Sequence, residues 1–453
     1  MNVPMHGYTL GFIQSMLAEK SGRVSGWFKD LELRSAFQPI FSLPHKSAIG
    51  FDASLRSTDS QGRPVSADTL FGPVENYSET SLLDLLATTV HVHNFLASRA
   101  RGLLFVNLHP EVFLDSNRTA EFLAELFRHY GVPDGRLVID IPGAVLKDER
   151  LSAPLDQYRK LGCLIAIDDF GVDNTNLDTV WHSAPAVVKM GRSVIAEADS
   201  DRRARDALPR AVSLLHEMGT LVVMEGVETG MEALIAIDAD ADFATGFYFG
   251  PPNEDLAEYS EPTGRLDSLW SEYKKRAPGR AKELAARATL EEDSLHSSEV
   301  RKLRNASPAE ISRYREERRP FIAAIQRAAS HAKSGDFFDA ACSEFLSLPG
   351  AIRCYMLDAD GRQIGTDVTS RHPPAAEGVD FNALVLNADA DWSRRDYYRR
   401  ARNEPEVVQV TRQYRSLDGH VRCVTFSIAT PIKGKPVVIC GDVDWTSHAR
   451  VRH

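Results

Sequence analysis

The chain has 453 residues, 43% of them hydrophobic and 26% charged, with a formal net charge of -10 at pH 7. That length exceeds one ordinary core, so two or three domains of a soluble globular protein are expected. The acidic balance leaves no electrostatic footprint for nucleic acid or an anionic membrane, and no apolar run is long enough to span a bilayer.

Residues 1–28 mix short apolar and polar pieces and read as an N-terminal extension, with a helix expected around Leu10 to Glu19. No basic lead-in followed by an apolar core occurs over Met1 to Lys20, and the five cysteines (Cys163, Cys342, Cys354, Cys423 and Cys440) match no metal spacing. Buried thiols in a reducing, cytoplasmic setting are expected.

From Leu31 a rhythm of strand-like runs begins: Phe37 to Phe41, Ile49 to Ala53, Leu103 to Leu108, Leu137 to Ile141, Leu164 to Asp168, Ala186 to Met190, Leu221 to Glu225 and Phe243 to Phe249. Helical patterns over Ser81 to Ala97, Arg118 to Phe127 and Asp206 to Met218 lie between them, with apolar residues returning every three to four positions. Strands alternating with helices predict a parallel sheet, and eight of them over residues 29–258 predict a closed (β/α)8 TIM-like barrel. Chemistry in such barrels sits where strands end at the C-terminal rim. Asn107, Asp140, Asp168, Lys189 and Glu225 close five of the runs. An oxygen-rich set without Cys or His suits Mg²⁺, Mn²⁺ or Ca²⁺.

The stretch Leu164-Ile165-Ala166-Ile167-Asp168-Asp169-Phe170-Gly171 is the focus of this pattern. Successive strand side chains point to opposite faces, so both carboxylates reach one site only if the strand ends between them. Beyond Pro251 the rhythm stops. Residues 259–336 read as a helical connector, with helices over Arg280 to Glu292 and Ala309 to Ala332, the second opened by a capping box at Ser307-Pro308-Ala309-Glu310. Its apolar returns (Ile311, Tyr314, Phe321, Ile322, Ile325, Ala329) fit either pairing with a second chain in a homodimer or packing as a spacer on its neighbours. Residues 337–453 turn strand-rich and read as a small antiparallel α+β module. Its pieces are Ile352 to Leu357, a turn at Asp358 to Gly361, Gln363-Ile364, a hairpin from Val407 to Ile428 through Leu417 to His420, and Pro436 to Val443.

The motifs of the barrel, in order, are Phe37-Gln38-Pro39-Ile40, Gly50-Phe51-Asp52-Ala53-Ser54-Leu55-Arg56, Asn107-Leu108-His109-Pro110, Leu137 to Gly143, Asp168 to Gly171, Val188-Lys189-Met190-Gly191, Glu225-Gly226-Val227-Glu228-Thr229 and Thr245-Gly246-Phe247. Together they resemble the EAL family, whose active members hydrolyse cyclic di-GMP to pGpG. The resemblance implies two divalent cations, Mg²⁺ or Mn²⁺, that activate a water for in-line attack on phosphorus. By position it makes Asp52, Asn107, Asp140, Asp168, Asp169 and Glu225 metal ligands, with Lys189 and Glu225 catalytic. Gln38, Arg56, Asp168 and Thr245 would contact the nucleotide, Arg56 through a phosphate.

Several positions depart from the family pattern. Asp52 and Asp140 stand where the family has Glu, shortening each carboxylate's reach by about 1.5 Å, one carbon–carbon bond. Gly191 replaces an Asp, Thr245 a Gln, Pro142-Gly143 stands where the family's E-I-T-E motif has its second acid, and Val172 to Asn176 replaces the family's T-G-Y-S-S. A catalytically weak or inactive domain is therefore expected. Residues 337–453 resemble PAS-like or Cache-like sensor modules, which would place Trp392, Arg395, Tyr398 and Asp442 in a ligand pocket. The leading expectation is a non-enzymatic regulator that binds cyclic di-GMP or a protein partner. The alternatives are an active phosphodiesterase and a scaffold that binds no nucleotide.

Overall fold

The computed structural model describes residues 8–71, 77–141, 145–146, 148, 150–171, 177–256, 264–276, 308–371, 389–417 and 422–446. They fall into two compact units, the first made chiefly of the chain up to residue 263 and the second chiefly of the chain from residue 264 onward. Among the described residues no helix is long and apolar enough to cross a membrane.

The first unit holds β1 (Leu17–Lys20), β2 (Arg23–Phe28), β3 (Leu31–Ser42), β4 (Ser47–Thr58), β5 (Pro64–Val65), β6 (Leu103–Asn107), β7 (Leu137–Ile141), β8 (Leu164–Phe170), β9 (Val187–Met190), β10 (Leu221–Met224) and β11 (Phe243–Ala244). Strands β4 and β6 to β11 pair in parallel, and β3 closes the barrel between β4 and β11. The short β6, β7, β9 and β10 are almost wholly buried, as expected for parallel strands covered on both faces. Helices Tyr77–Ala97, Ser116–Tyr130 and Arg202–Glu217 match three helical patterns of the sequence, each beginning a few residues earlier than expected.

Three local expectations are corrected. The all-parallel sheet fails at β3, which runs antiparallel to both of its barrel neighbours. Only Leu43 to Lys46 joins β3 to β4, and Lys46 turns at φ 58. A parallel crossover needs a dozen or more residues, so this link can make only a hairpin. The helix expected from Leu10 to Glu19 stops at Gln14, and the chain then forms the β1–β2 hairpin, which continues the sheet alongside β3. The strand expected from Phe243 to Phe249 ends at Ala244. Just beyond it, Gly246 adopts φ 149 against the next loop, where an added Cβ would lie 2.2 Å from the Val227 carbonyl oxygen.

In the second unit an antiparallel sheet runs Gln363–Thr369, Ala351–Leu357, Lys435–Asp444, Arg422–Ile432, Gln409–Val410. Helices Pro308–Ser334 and Phe338–Leu346 share one core with it, in which Phe321, Ile325, Ala328 and Ala329 meet Cys342, Phe345, Phe426 and Ile439. The apolar stripe of the expected connector is thus covered by its own unit over residues 321–332. The expected helix over Arg280 to Glu292, the capping residue Ser307 and the turn at Asp418 to His420 lie outside the described residues.

Candidate functional site

Barrel closure brings together polar groups from six strands. Lys189 on β9 is 1% exposed, and its Nζ lies 2.5 Å from Asp52 Oδ2 (β4), 2.7 Å from Asp140 Oδ2 (β7) and 3.2 Å from Glu225 Oε1 after β10. These contacts follow from register: Asp140 is paired with Asn107 and Ala166, Lys189 with Val223, and Glu225 donates its N–H to the Met190 carbonyl. Asn107 ends β6 exposed, next to Asp140.

Asp168 and Asp169 reach the same place by a backbone device. The register of β8 slips between Ile167 and Phe170, and Asp169 takes φ 51 while its N–H donates to Asp168 Oδ1 at 3.0 Å. A bulge with a left-handed residue cancels the alternation of side chains. One oxygen each of Asp168, Asp169 and Glu225 therefore lies within 4.8 Å of the others.

Burial drives the Asp140 carboxyl well above its ordinary range, with Lys189 opposing. The same two influences act on Asp52, which is also raised, and on Glu225, pushed up to about 8 with Asp168 and Asp52 adding to the rise. Burial alone would lower Lys189, but Asp140, Asp52 and Glu225 outweigh it and hold the ammonium well above the usual lysine value. The single ammonium is outnumbered by carboxylates. Asp140 Oδ1 is buried and without a hydrogen-bond partner.

These donors form two groups that share Glu225, which also faces Lys189 at 3.2 Å. Asp168, Asp169 and Glu225 fit one hard divalent cation, whose oxygen ligands sit at about 2.0–2.6 Å. The oxygens of Asp52 and Asp140 face a resident cation, the Lys189 ammonium.

Of the nucleotide-contact candidates, Gln38 donates through Nε2 to the Gly250 carbonyl at 3.1 Å. Thr245 is 4% exposed and donates its hydroxyl to the Pro39 carbonyl at 2.9 Å, joining β3 to the loop after β11. Arg56 is exposed near the end of β4. Gly191 caps helix Arg192–Ser200 without a side-chain hydrogen bond. Pro142-Gly143 and Val172 to Asn176 lie outside the described residues.

Sequence reasoning missed Asp84. It is 4% exposed on helix Tyr77–Ala97, its Oδ2 accepts the His109 backbone N–H at 2.8 Å, and burial pushes its pKa up to about 7. An acid flanked by Leu83 and Leu85 in an apolar run was the available signal.

In the second unit Trp392 donates through Nε1 to Gln363 Oε1 at 3.0 Å, and Tyr398 through its hydroxyl to the Ala359 carbonyl at 2.6 Å. Arg395 sits at the N-cap position of helix Asp396–Asn403. Asp442 is 1% exposed and accepts from Arg353 Nε at 2.8 Å and Thr425 Oγ1 at 2.7 Å. Arg353 lies beside Asp442 on the neighbouring strand.

The EAL domain family model matches residues 23–252. Among curated proteins, the probable cyclic di-GMP phosphodiesterase PdeB of Escherichia coli is 22% identical over 232 residues, 50% of this chain and 44% of that protein. The cyclic di-GMP phosphodiesterase RocR of Pseudomonas aeruginosa is 27% identical over 155 residues, 33% of this chain and 38% of that one. The chain thus spans less than half the length of these relatives. Among solved structures, the Bacillus subtilis YkuI protein, with an EAL domain and in complex with cyclic di-GMP and calcium, covers 91% of this chain and 96% of its own at 19% identity and a TM-score of 0.49.

Proposed function

The chain belongs to the EAL domain family, and from that membership we propose that its barrel binds cyclic di-GMP as a regulatory receptor with weak or no hydrolytic activity. The observation that carries this reading is the Lys189 ammonium, seated on the two carboxylates that are one methylene short, Asp52 and Asp140. With both engaged by a lysine, the second cation of a two-metal hydrolysis lacks its ligands. The pocket keeps Gln38 and Arg56 for the nucleotide and a place for one Mg²⁺ or Mn²⁺ at Asp168, Asp169 and Glu225. The second unit is read as a PAS/Cache-like sensor, built on Trp392, Arg395, Tyr398 and Asp442, that tunes the barrel in a homodimer or toward a protein partner.

Two measurements test the reading. Calorimetry with cyclic di-GMP should give micromolar or tighter binding, and chromatography with Mg²⁺ or Mn²⁺ should show little pGpG. Turnover at ordinary enzyme rates, about 1 s⁻¹ or faster, would reject the inactive reading, and no heat at high micromolar ligand would leave a scaffold. The intact cation cluster at Asp168, Asp169 and Glu225 favours a second reading, an active phosphodiesterase. Turnover of the parent separates the two, and the double variant Asp52→Glu/Asp140→Glu asks whether reach is what a weak parent lacks. A rise in pGpG formation of about a hundredfold, a few kcal/mol of barrier, is expected if reach is what is missing; no rise places the defect elsewhere.

A further inference from the structure

Strands β3 and β4 run to 12 residues each, longer than the other barrel strands, and continue as a ribbon past the rim. Cross-strand partners share a face, and the register pairs Gln38 with Asp52, Ala36 with Ser54 and Arg34 with Arg56. Both arginines therefore stand on the face that carries Asp52 onto Lys189. Like charges directly opposite each other on a ribbon are unfavourable. Glu254 offsets one of them, accepting from Arg34 Nη1 at 2.8 Å across a half-exposed pair. Arg34 Nε is buried without a hydrogen-bond partner. Arg56 has only the Leu55 carbonyl at 3.4 Å, with no carboxylate partner among the described residues.

We propose that Arg34 and Arg56 form a two-guanidinium clamp for a phosphodiester. Four residues of extended strand separate Asp52 from Arg56, about 13 Å between Cα atoms. An anion over the arginines is therefore too far away to be the one at Asp168 and Asp169. The clamp takes the distal phosphodiester of a ligand that carries two, and Glu254 holds Arg34 in position until that phosphate arrives. This rests on the reading of the barrel as a dinucleotide receptor and adds a residue that the family motifs leave out.

The test is calorimetry with cyclic di-GMP and with linear pGpG, in Ca²⁺ buffer, on the full chain and on Arg34→Ala, Arg34→Lys and Glu254→Gln, each with its melting midpoint. The clamp requires Arg34→Ala to weaken cyclic di-GMP binding about tenfold or more at an unchanged midpoint, since hydrogen bonds to charged groups are the strong ones. Arg34→Lys should recover part of the loss, and Glu254→Gln should bind as tightly as the parent or several-fold tighter. If Arg34→Ala binds like the parent, the clamp is wrong and the receptor reading stands. If Arg34→Ala and Glu254→Gln weaken binding equally and both melt earlier, the pair is structural and the clamp is again wrong. If the parent binds neither nucleotide, both fail together.

Discussion

Replacing Lys189 with Met should destabilise the protein by about 3–5 kcal/mol, the range for removing one partner of a buried ionic cluster. The methionine fills most of the volume, so the loss comes from charge. Asp52, Asp140 and Glu225 would keep their burial and lose the ammonium that each now faces within 3.2 Å. Chemical denaturation in EDTA reads the effect. Its pH dependence has a definite sign. The Glu225 pKa is already up to about 8 with Lys189 present, and Asp140 is well above its usual range. Groups raised in the folded state give stability that is complete below their unfolded pKa and is lost as pH rises through the folded one. Without the lysine they rise further, so the deficit should be small near pH 4 and largest above pH 8. A deficit independent of pH would mean that Lys189 acts by packing alone.

Asp84→Asn should act in the opposite direction. Burial lifts the Asp84 pKa from 3.8 to about 7. Between those values the folded state holds a proton that the unfolded state has released, so stability falls as pH rises across that window. Three units at about 1.4 kcal/mol each come to about 4 kcal/mol above pH 7. The asparagine side-chain oxygen can still accept the His109 N–H that Asp84 Oδ2 now accepts. The variant should therefore match the parent near pH 4 and exceed it by up to about 4 kcal/mol at pH 8. Equal stability of the two proteins at both pH values would remove Asp84 as a buried proton-binding group.

The barrel was legible because motif order and strand rhythm are local. Asn107, Asp140, Lys189 and Glu225 could be set at strand ends by counting apolar residues. The inversion of β3 was also present in the sequence, as the seven residues between the expected strands Phe37 to Phe41 and Ile49 to Ala53, too few for a crossover. The geometry of the centre was not. That Lys189 meets Asp52, 137 positions away, depends on closure and register. That Asp168 and Asp169 act together depends on one positive φ, which no side chain of Asp169 announces. The stripe over Phe321, Ile325 and Ala329 was correctly periodic, yet periodicity does not say which surface covers it. In the second unit, Asp442 accepts from Arg353 on a neighbouring strand, a contact set by register.

The inversion of β3 also decides how force enters the molecule. In an all-parallel barrel the first strand rises from the base, so a segment ahead of it is anchored far from the chemistry. Here β3 descends from the mouth, and the segment leaving β11 returns to the same end, where Asn253 and Phe37 exchange backbone hydrogen bonds at 2.8 and 3.0 Å. Both leads of the barrel are wired to its open end. A pull or twist on either is delivered within a few residues of Gln38 and Thr245 and has no barrel wall to cross.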